Sequence, residues 1–354
     1  MAAGLAAVLV ISAPYVVPNG IETFQLIAAR EDPVKFADIR LARLTPADYE
    51  TAIDAALQDG DTDLAASLVD LADQRDVMLP GSLLDRVDTE TAGKSGLSYQ
   101  LGEIWNGAIT GKADSAAGLA GAVALDFTTI GDVRDILMQG EAYLNGEHFD
   151  PLILGLSIAG LTMTGAVMLS VGTASPPRLG VAAIKAAGKA GKINKSLLKS
   201  FARLSTRTVN TKALGETLPL LKAGDFSRAS KVATGAFNAA PLSTMQKSAT
   251  ELGTVMTKNG VRAGTDVLKI ADKPADIAKL GKLSSGFSKR FRAVLALLGS
   301  GAIAGFGWVT AAAGWSATFL TWLAGAAWFG FRAIRLSWRF ALLPLGRMLA
   351  RSLA

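Results

Sequence analysis

The sequence predicts an all-α integral membrane protein with about four transmembrane helices, including a C-terminal apolar hairpin, and a small helical extramembrane domain. Three observations support this fold class. The apolar residues, half of the 354, collect in charge-free blocks. The segments between these blocks show helical spacing, and the charges separate along the chain. A soluble domain with a large core spreads its apolar residues more evenly.

The first block, residues 1–18, predicts an N-terminal membrane anchor. A cleaved signal peptide has Lys or Arg before its apolar run and a small-x-small cleavage site after it. Here no basic residue precedes the apolar run, and Pro14 lies inside it. These features favour an uncleaved anchor, with a signal peptide as the alternative.

The acidic region 19–150 predicts a helical domain. It holds 24 acidic and 9 basic residues. Thr45 followed by Pro46 is typical of a helix start, Asp61 of the next, and a third short helix is expected from Ser82. Asp59, Asp61, Asp63 and Asp70 follow part of an EF-hand spacing, but Leu64 stands where that loop needs Gly, which favours an acidic turn between helices.

The second block, residues 151–173, predicts a transmembrane helix. Its 23 residues carry no charge, whereas one crossing needs about 20 residues. Asp150 and Pro151 mark its start, and Pro176 and Pro177 follow its end.

The basic region 174–292 predicts amphipathic helices beside the membrane. Residues 151–354 together carry 27 basic and only 6 acidic residues. Cations recur close to one helical face from residue 185, and such a face can bind anionic headgroups. A solvated face that only follows the positive-inside bias is the alternative. The residues predicted to face lipid here are Lys185, Lys189, Lys192, Lys199 and Arg203.

The third block, residues 293–331, runs for 39 residues without a charge. It is nearly twice as long as one span, so a hairpin of two short helices turning near Gly314 is expected, with one long tilted helix as the alternative. Gly301 and Gly305 form a small-xxx-small pair that would bring helices together and allow oligomerisation. Residues 332–354 predict a basic amphipathic helix on the inner leaflet, with Arg332, Arg335 and Arg339 facing lipid.

Orientation follows from the Lys and Arg residues near the ends of the spans. All basic flanks fall on one side if the chain crosses at 1–18, at 151–173 and twice in 293–331. The prediction is therefore a multi-pass protein of a bacterial inner membrane, with both termini in the cytoplasm and residues 19–150 in the periplasm.

The chemistry of the chain argues against an enzyme. There is no cysteine, and His148 is the single histidine, so a His-based triad or a zinc cluster lacks side chains. No phosphate-binding loop of the G-x-x-x-x-G-K-[ST] type occurs. We expect no catalytic, cofactor-binding or metal-binding residues, and no nucleic-acid partner, since the basic stretch has few aromatics and no recognition motif.

Two segments carry resemblances. The segment from Gly131 and Asp132 into the second block, residues 131–170, resembles the pre-toxin segments of bacterial polymorphic toxins. The order of basic helices, apolar hairpin and final basic helix over 178–354 resembles the architecture of the colicin pore-forming domain, and the whole plan is similar to that of bacterial inner-membrane proteins. The sequence thus favours a non-enzymatic membrane scaffold or accessory protein that binds a protein partner and anionic lipid. The colicin resemblance implies the alternative, a pore-forming or toxin-related membrane protein.

Overall fold

The computed structural model describes residues 2–94, 129–167, 176–303 and 306–337, and these residues confirm an all-α fold. They form fifteen α-helices and two 3₁₀ turns, at Ser288–Arg290 and Gly299–Ala302, with no strand among them. The helices are α1 (Ala2–Ala28), α2 (Pro33–Leu41), α3 (Pro46–Gln58), α4 (Thr62–Gln74), α5 (Gly81–Lys94), α6 (Thr129–Leu144), α7 (Pro151–Val167), α8 (Pro176–Lys189), α9 (Lys195–Thr208), α10 (Thr211–Lys222), α11 (Phe226–Ala236), α12 (Ala239–Ile270), α13 (Pro274–Phe287), α14 (Phe291–Leu298) and α15 (Phe306–Ser337).

The chain divides into two compact units. The terminal unit comprises residues 1–39 and 304–354, and the central unit comprises residues 40–303. Each unit has its own internal packing.

The terminal unit is built on two long helices. Helix α1 continues through Pro14 and Pro18 to Ala28, ten residues beyond the predicted anchor. Helix α15 runs unbroken through Gly314, so the predicted turn there is wrong and one long helix takes its place. A helical glycine costs only about 1 kcal/mol relative to alanine, and no proline or cap near Gly314 adds to that cost.

Helices α3 to α5 of the central unit begin where their sequences predict. The carboxylate of Asp48 accepts hydrogen bonds from the Thr45 backbone N–H at 2.7 Å and from its hydroxyl at 2.8 Å. Asp61 caps α4 by accepting from the Leu64 backbone N–H at 3.1 Å. Helix α5 starts at Gly81, one residue before the expected position.

Helix α7 is the core of the central unit. It packs against five helices, α6, α8, α9, α11 and α12. Leu154, Leu156 and Ile158 on successive sides of the helix are fully buried. Protein therefore covers the faces that a transmembrane helix at 151–173 would turn to lipid. This structure does not support the predicted span there. Residues 168–175 lie outside the described part of the chain.

Four spans thus stay unconfirmed. Among the described residues, one helical stretch, Ala6–Ala28, is long and apolar enough to cross a membrane by length and composition. The apolar stretch Pro151–Met163 is shorter than a crossing requires.

Helices α8 and α12 pack backbone to backbone. A methyl group added at Gly180 would overlap the Ala249 carbonyl, and one added at Gly253 would overlap the Pro176 carbonyl. Helix α12 is broken at Gly260, where φ is +87°, a conformation that glycine adopts without steric cost.

Helix α14 also belongs to the central core. Its residues Phe291, Val294 and Leu295 are buried. The start of the predicted hairpin at 293 is therefore packed within protein.

Candidate membrane-anchoring site

Helices α1 and α15 form an antiparallel apolar pair. The ring of Phe319 lies directly over Gly20 and 5.9 Å from the ring of Phe24, measured between centroids. Farther along α15, the Trp322 Nε1–H donates to the Leu9 carbonyl at 3.2 Å and to the Ser12 hydroxyl at 3.1 Å. Later residues of α15 thus contact earlier residues of α1.

The outer surface of this pair is apolar as well. Of the fourteen large hydrophobic side chains exposed in the described residues, eleven lie on α1 and α15. They include Ile11, which is 78% exposed, and Leu320, which is 54% exposed. Soluble proteins rarely expose a contiguous apolar patch of this kind, which marks a contact with lipid or with another protein.

A groove of about 670 Å³ runs between the two helices. Val8, Val16, Trp322 and Phe329 are among its lining residues. Its lining is predominantly apolar, like the outer surface of the pair.

The end of α15 carries the predicted basic residues. Arg332 and Arg335 are exposed, and the Arg332 guanidinium carbon lies 5.0 Å from the centroid of the Trp328 ring. Tryptophan and arginine at the end of an apolar helix are typical of a membrane interface. Arg339 lies outside the described residues.

The predicted helix-packing pair is not formed as expected. Gly301 lies in the 3₁₀ turn Gly299–Ala302, where a Cβ would come 3.6 Å from the Arg40 guanidinium. The prediction of a membrane helix contact at Gly301 is therefore wrong. Gly305 lies outside the described part of the chain.

Lys185 is fully buried, so its prediction as a lipid-facing residue is wrong. Its ammonium lies 3.0 Å from Asp132 Oδ1 and 2.6 Å from Asp135 Oδ2, both carried by α6. Burial raises the pKa of Asp135, but the hydrogen bond and charge of Lys185, with Arg134 and Lys189, outweigh it and lower that pKa.

The error has a simple origin. The sequence pattern predicts one helix for the cations from 185 to 203, but the chain turns at Gly191, where φ is +66°, and a new helix begins after Asn194. Lys189, Lys199 and Arg203 are exposed and Lys192 is half-buried. Their contact with lipid stays a prediction.

A second cluster joins the acidic and basic regions around Asp61. Its carboxylate accepts from Arg292 Nη2 at 2.6 Å and from Arg262 Nη1 at 3.0 Å, and Arg292 Nε donates to Asp266 at 2.8 Å. Burial raises the pKa of Asp61, but the bonds and charges of the two arginines outweigh it and lower that pKa below its ordinary value. Asp266 and Asp61 likewise outweigh the effect of burial on Arg292 and raise its pKa.

Three of the four acidic residues with EF-hand-like spacing are therefore engaged by arginines. Asp63 pairs with Arg262 at 3.1 Å, and Asp70 pairs with Arg290 at 2.7 Å. Sequence reasoning missed these pairs, although the opposite charges of the two regions were visible.

No family model, curated protein or solved structure matches this chain.

Proposed function

We propose that the chain is a non-enzymatic membrane scaffold, anchored in a bacterial inner membrane by α1 and α15, with the central unit as one helical domain outside the lipid. The main observation in support of this proposal is the distribution of exposed apolar side chains, which concentrate on the two long helices. In the described part of the central unit only Met78, Met138 and Leu144 are exposed large hydrophobics.

The lengths of the two helices fit a bilayer. The stretch Ala6–Ala28 has 23 residues, about 34 Å of helix at 1.5 Å each, against a hydrocarbon core of about 30 Å. Helix α15 is charge-free from Phe306 to Phe331, and its glycines, hydroxyl residues and tryptophans lower its mean hydropathy without adding charge. Small and hydroxyl residues are common in membrane helices because neighbouring helices pack against them.

The ion pairs of the central unit support placing the acidic and basic regions on one side of the membrane. Asp61 and Arg292 are 231 residues apart in the chain and in direct contact. A bilayer cannot lie between two groups that share a hydrogen bond. This proposal replaces the arrangement with residues 19–150 and 174–292 on opposite sides.

A scaffold also needs a surface for a protein partner. Helices α3 and α5 enclose a polar groove of about 350 Å³, lined by Leu57, Gln58, Asp85, Arg86, Thr89 and Glu90. Its mixed charges suit a polar segment of a second protein, which we propose as the partner of the acidic region.

Membrane extraction tests the anchor. Ile11→Asp together with Leu320→Asp places two carboxylates on the outward faces of α1 and α15, each costing about 2.5–3.5 kcal/mol in mid-bilayer. The matched control, Met78→Asp with Met138→Asp, changes two exposed hydrophobics of the central unit. Wild type and control should remain in the membrane pellet after alkaline carbonate extraction, whereas the first variant should move to the supernatant. Wild type in the supernatant would refute the anchor.

The pore-forming alternative has its own test. A pore releases dye from sealed vesicles, whereas a two-helix anchor leaves them intact. Purified full-length chain added to vesicles loaded with a self-quenching dye should therefore give no release above a detergent-only blank. Rapid release would favour the pore.

A further inference from the structure

Helix α9 presents an unusual basic face. Lys195, Lys199, Arg203 and Arg207 follow one another at intervals of four residues, while Leu197 and Phe201 on the opposite face are buried. Within the described part of the chain, none of these four cations forms an ion pair.

Several other cations of the basic region are neutralised by ion pairs. Their partners are acidic residues of α6, of α12, and of α4 with its N-cap Asp61; this paired set is Lys185, Lys222, Arg262, Arg290 and Arg292. The sequence has no acidic residue between Asp150 and Glu216, so α9 has no carboxylate of its own or of the adjoining turns. Its charge is left for a ligand outside the chain.

A groove of about 330 Å³ lies along this face. Arg203, Arg207 and Lys273 supply its charge, and Leu204, Pro274 and Ala275 supply apolar lining. The three cations come from two helices, α9 and the start of α13, so the fold rather than one helix assembles the groove.

The two carboxylates closest to Lys273 in the sequence accept hydrogen bonds from other groups. Asp276 accepts the backbone N–H groups of Asp272 and Lys273, each at 3.2 Å. Asp272 accepts from the side-chain amide of Asn194 at 3.1 Å. Both carboxylates therefore have hydrogen-bond donors other than the three groove cations.

The hydroxyl groups of the groove are also committed. Ser200 donates to the Ser196 carbonyl at 2.9 Å, and Thr244 donates to the Ala240 carbonyl at 3.1 Å. Donors for a bound anion thus come from the guanidinium groups and the ammonium. Two guanidinium groups provide paired N–H donors that match the oxygens of a phosphate.

We propose that this groove binds the phosphate headgroup of an anionic phospholipid. The inference rests on the proposed membrane anchor, which keeps the central unit close to a lipid surface. The combination of cations with an apolar lining suits a headgroup attached to a glycerol backbone better than a free phosphate ion. The groove would hold one lipid and so add a specific contact to the hydrophobic anchor.

Lipid titration of the full-length chain in neutral detergent tests the groove. Short-chain phosphatidylglycerol should raise the thermal midpoint, because a ligand that binds the folded state stabilises it. Short-chain phosphatidylcholine and inorganic phosphate at equal concentration should give smaller shifts. The combined change Arg203→Gln, Arg207→Gln and Lys273→Gln should weaken phosphatidylglycerol binding at least about tenfold.

The control removes three exposed cations elsewhere, through Lys212→Gln, Lys231→Gln and Lys247→Gln. It should bind phosphatidylglycerol like wild type, and circular dichroism without lipid should show both variants folded. Equal losses in the two variants, or none in the groove variant, would refute the site, and an equal response to inorganic phosphate would refute the lipid as its ligand. Carbonate extraction uses no added headgroup, so a failed anchor and a failed groove give separate signals.

Discussion

Replacing Lys185 with methionine is the sharpest test of how the central unit holds together. The change keeps most of the side-chain length and removes the ammonium that lies between the nearly buried carboxylates of Asp132 and Asp135. Asp135 then keeps the guanidinium of Arg134, 3.0 Å away, as its paired cation. Removing one partner of a buried ion pair costs about 3–5 kcal/mol, because the remaining charge is desolvated without compensation. For a domain somewhat smaller than this 264-residue unit, each kcal/mol of lost stability lowers the thermal midpoint by about 2–4 °C. We therefore expect the midpoint of Lys185→Met to fall by about 6–20 °C.

The assay is thermal unfolding of the full-length chain in detergent, followed by circular dichroism at neutral pH. Lys212→Met is the matched control, since Lys212 is exposed at the start of α10. A surface substitution of this kind shifts stability by about 0.5 kcal/mol or less. Adding Asp132→Asn and Asp135→Asn to Lys185→Met should recover part of the lost midpoint, because neutral amides cost less to bury than carboxylates.

Two results would contradict this reasoning. One is a midpoint for Lys185→Met within 2 °C of the Lys212→Met control. The other is a further loss of stability when Asp132→Asn and Asp135→Asn are added to Lys185→Met, as large as two independent core substitutions would cause. Either would mean that Lys185 does not lie between these carboxylates.

Three further changes address other parts of the structure. In the terminal unit, Gly20→Leu should push Phe319 away from α1. It should reduce several-fold the yield of a disulfide between Leu9→Cys and Gly325→Cys, whereas the control Gly314→Ala, whose added methyl group meets no atom within 4 Å, should leave that yield unchanged. An unchanged yield with Gly20→Leu would contradict the helix pairing. In the central unit, Gly253→Ala should destabilise the fold by about 1–3 kcal/mol, because the added methyl group overlaps Pro176. Gly215→Ala should stabilise it by about 0.5–1 kcal/mol, because the added methyl group meets no atom within 4 Å and alanine is the better helix residue. Thermal unfolding measures both changes, and equal effects of the two substitutions would refute the close packing. Asp61 and Asp135 have lowered pKa values in the folded state, so their contribution to stability is present above the ordinary value of 3.8 and is lost as the pH falls below it. Asp61→Asn should therefore reduce the fall of the thermal midpoint between pH 5 and 3. An unchanged dependence of the midpoint on pH would count against the Asp61 cluster.

Local chemistry explains which elements the sequence predicts well. The starts of α3 and α4 depend on Thr45, Pro46 and Asp61, whose effects reach only a few residues along the chain. The helical class of the fold follows from the same short-range patterns.

The nature of α7 could not be settled in the same way. Lipid and a protein core both favour charge-free apolar helices, so the composition of 151–173 fits either environment. The helix buries Ser157 and packs Gly155 against Ser205 and Gly160 against Asp132, contacts that depend on distant segments. Its short apolar stretch, ending at Met163, is the one local sign that favours the core.

The separation of charge along the chain has two explanations, and the sequence prediction uses only the first of them. Opposite charge in two regions can reflect the two sides of a membrane or two surfaces that pack together. The ion pairs of Asp61, Asp63 and Asp70 with arginines of the basic region correspond to the second explanation. Contacts across some 200 residues leave no local signature in a single sequence.

Cysteine labelling in intact cells tests most directly whether the two regions share one side of the membrane. The chain has no cysteine, so Asp88→Cys in α5 and Lys212→Cys in α10 each provide a unique exposed thiol. A membrane-impermeant maleimide, applied before and after permeabilisation, should label both positions under the same condition. Labelling of one before permeabilisation and of the other only afterwards would place the regions on opposite sides and contradict a single central domain.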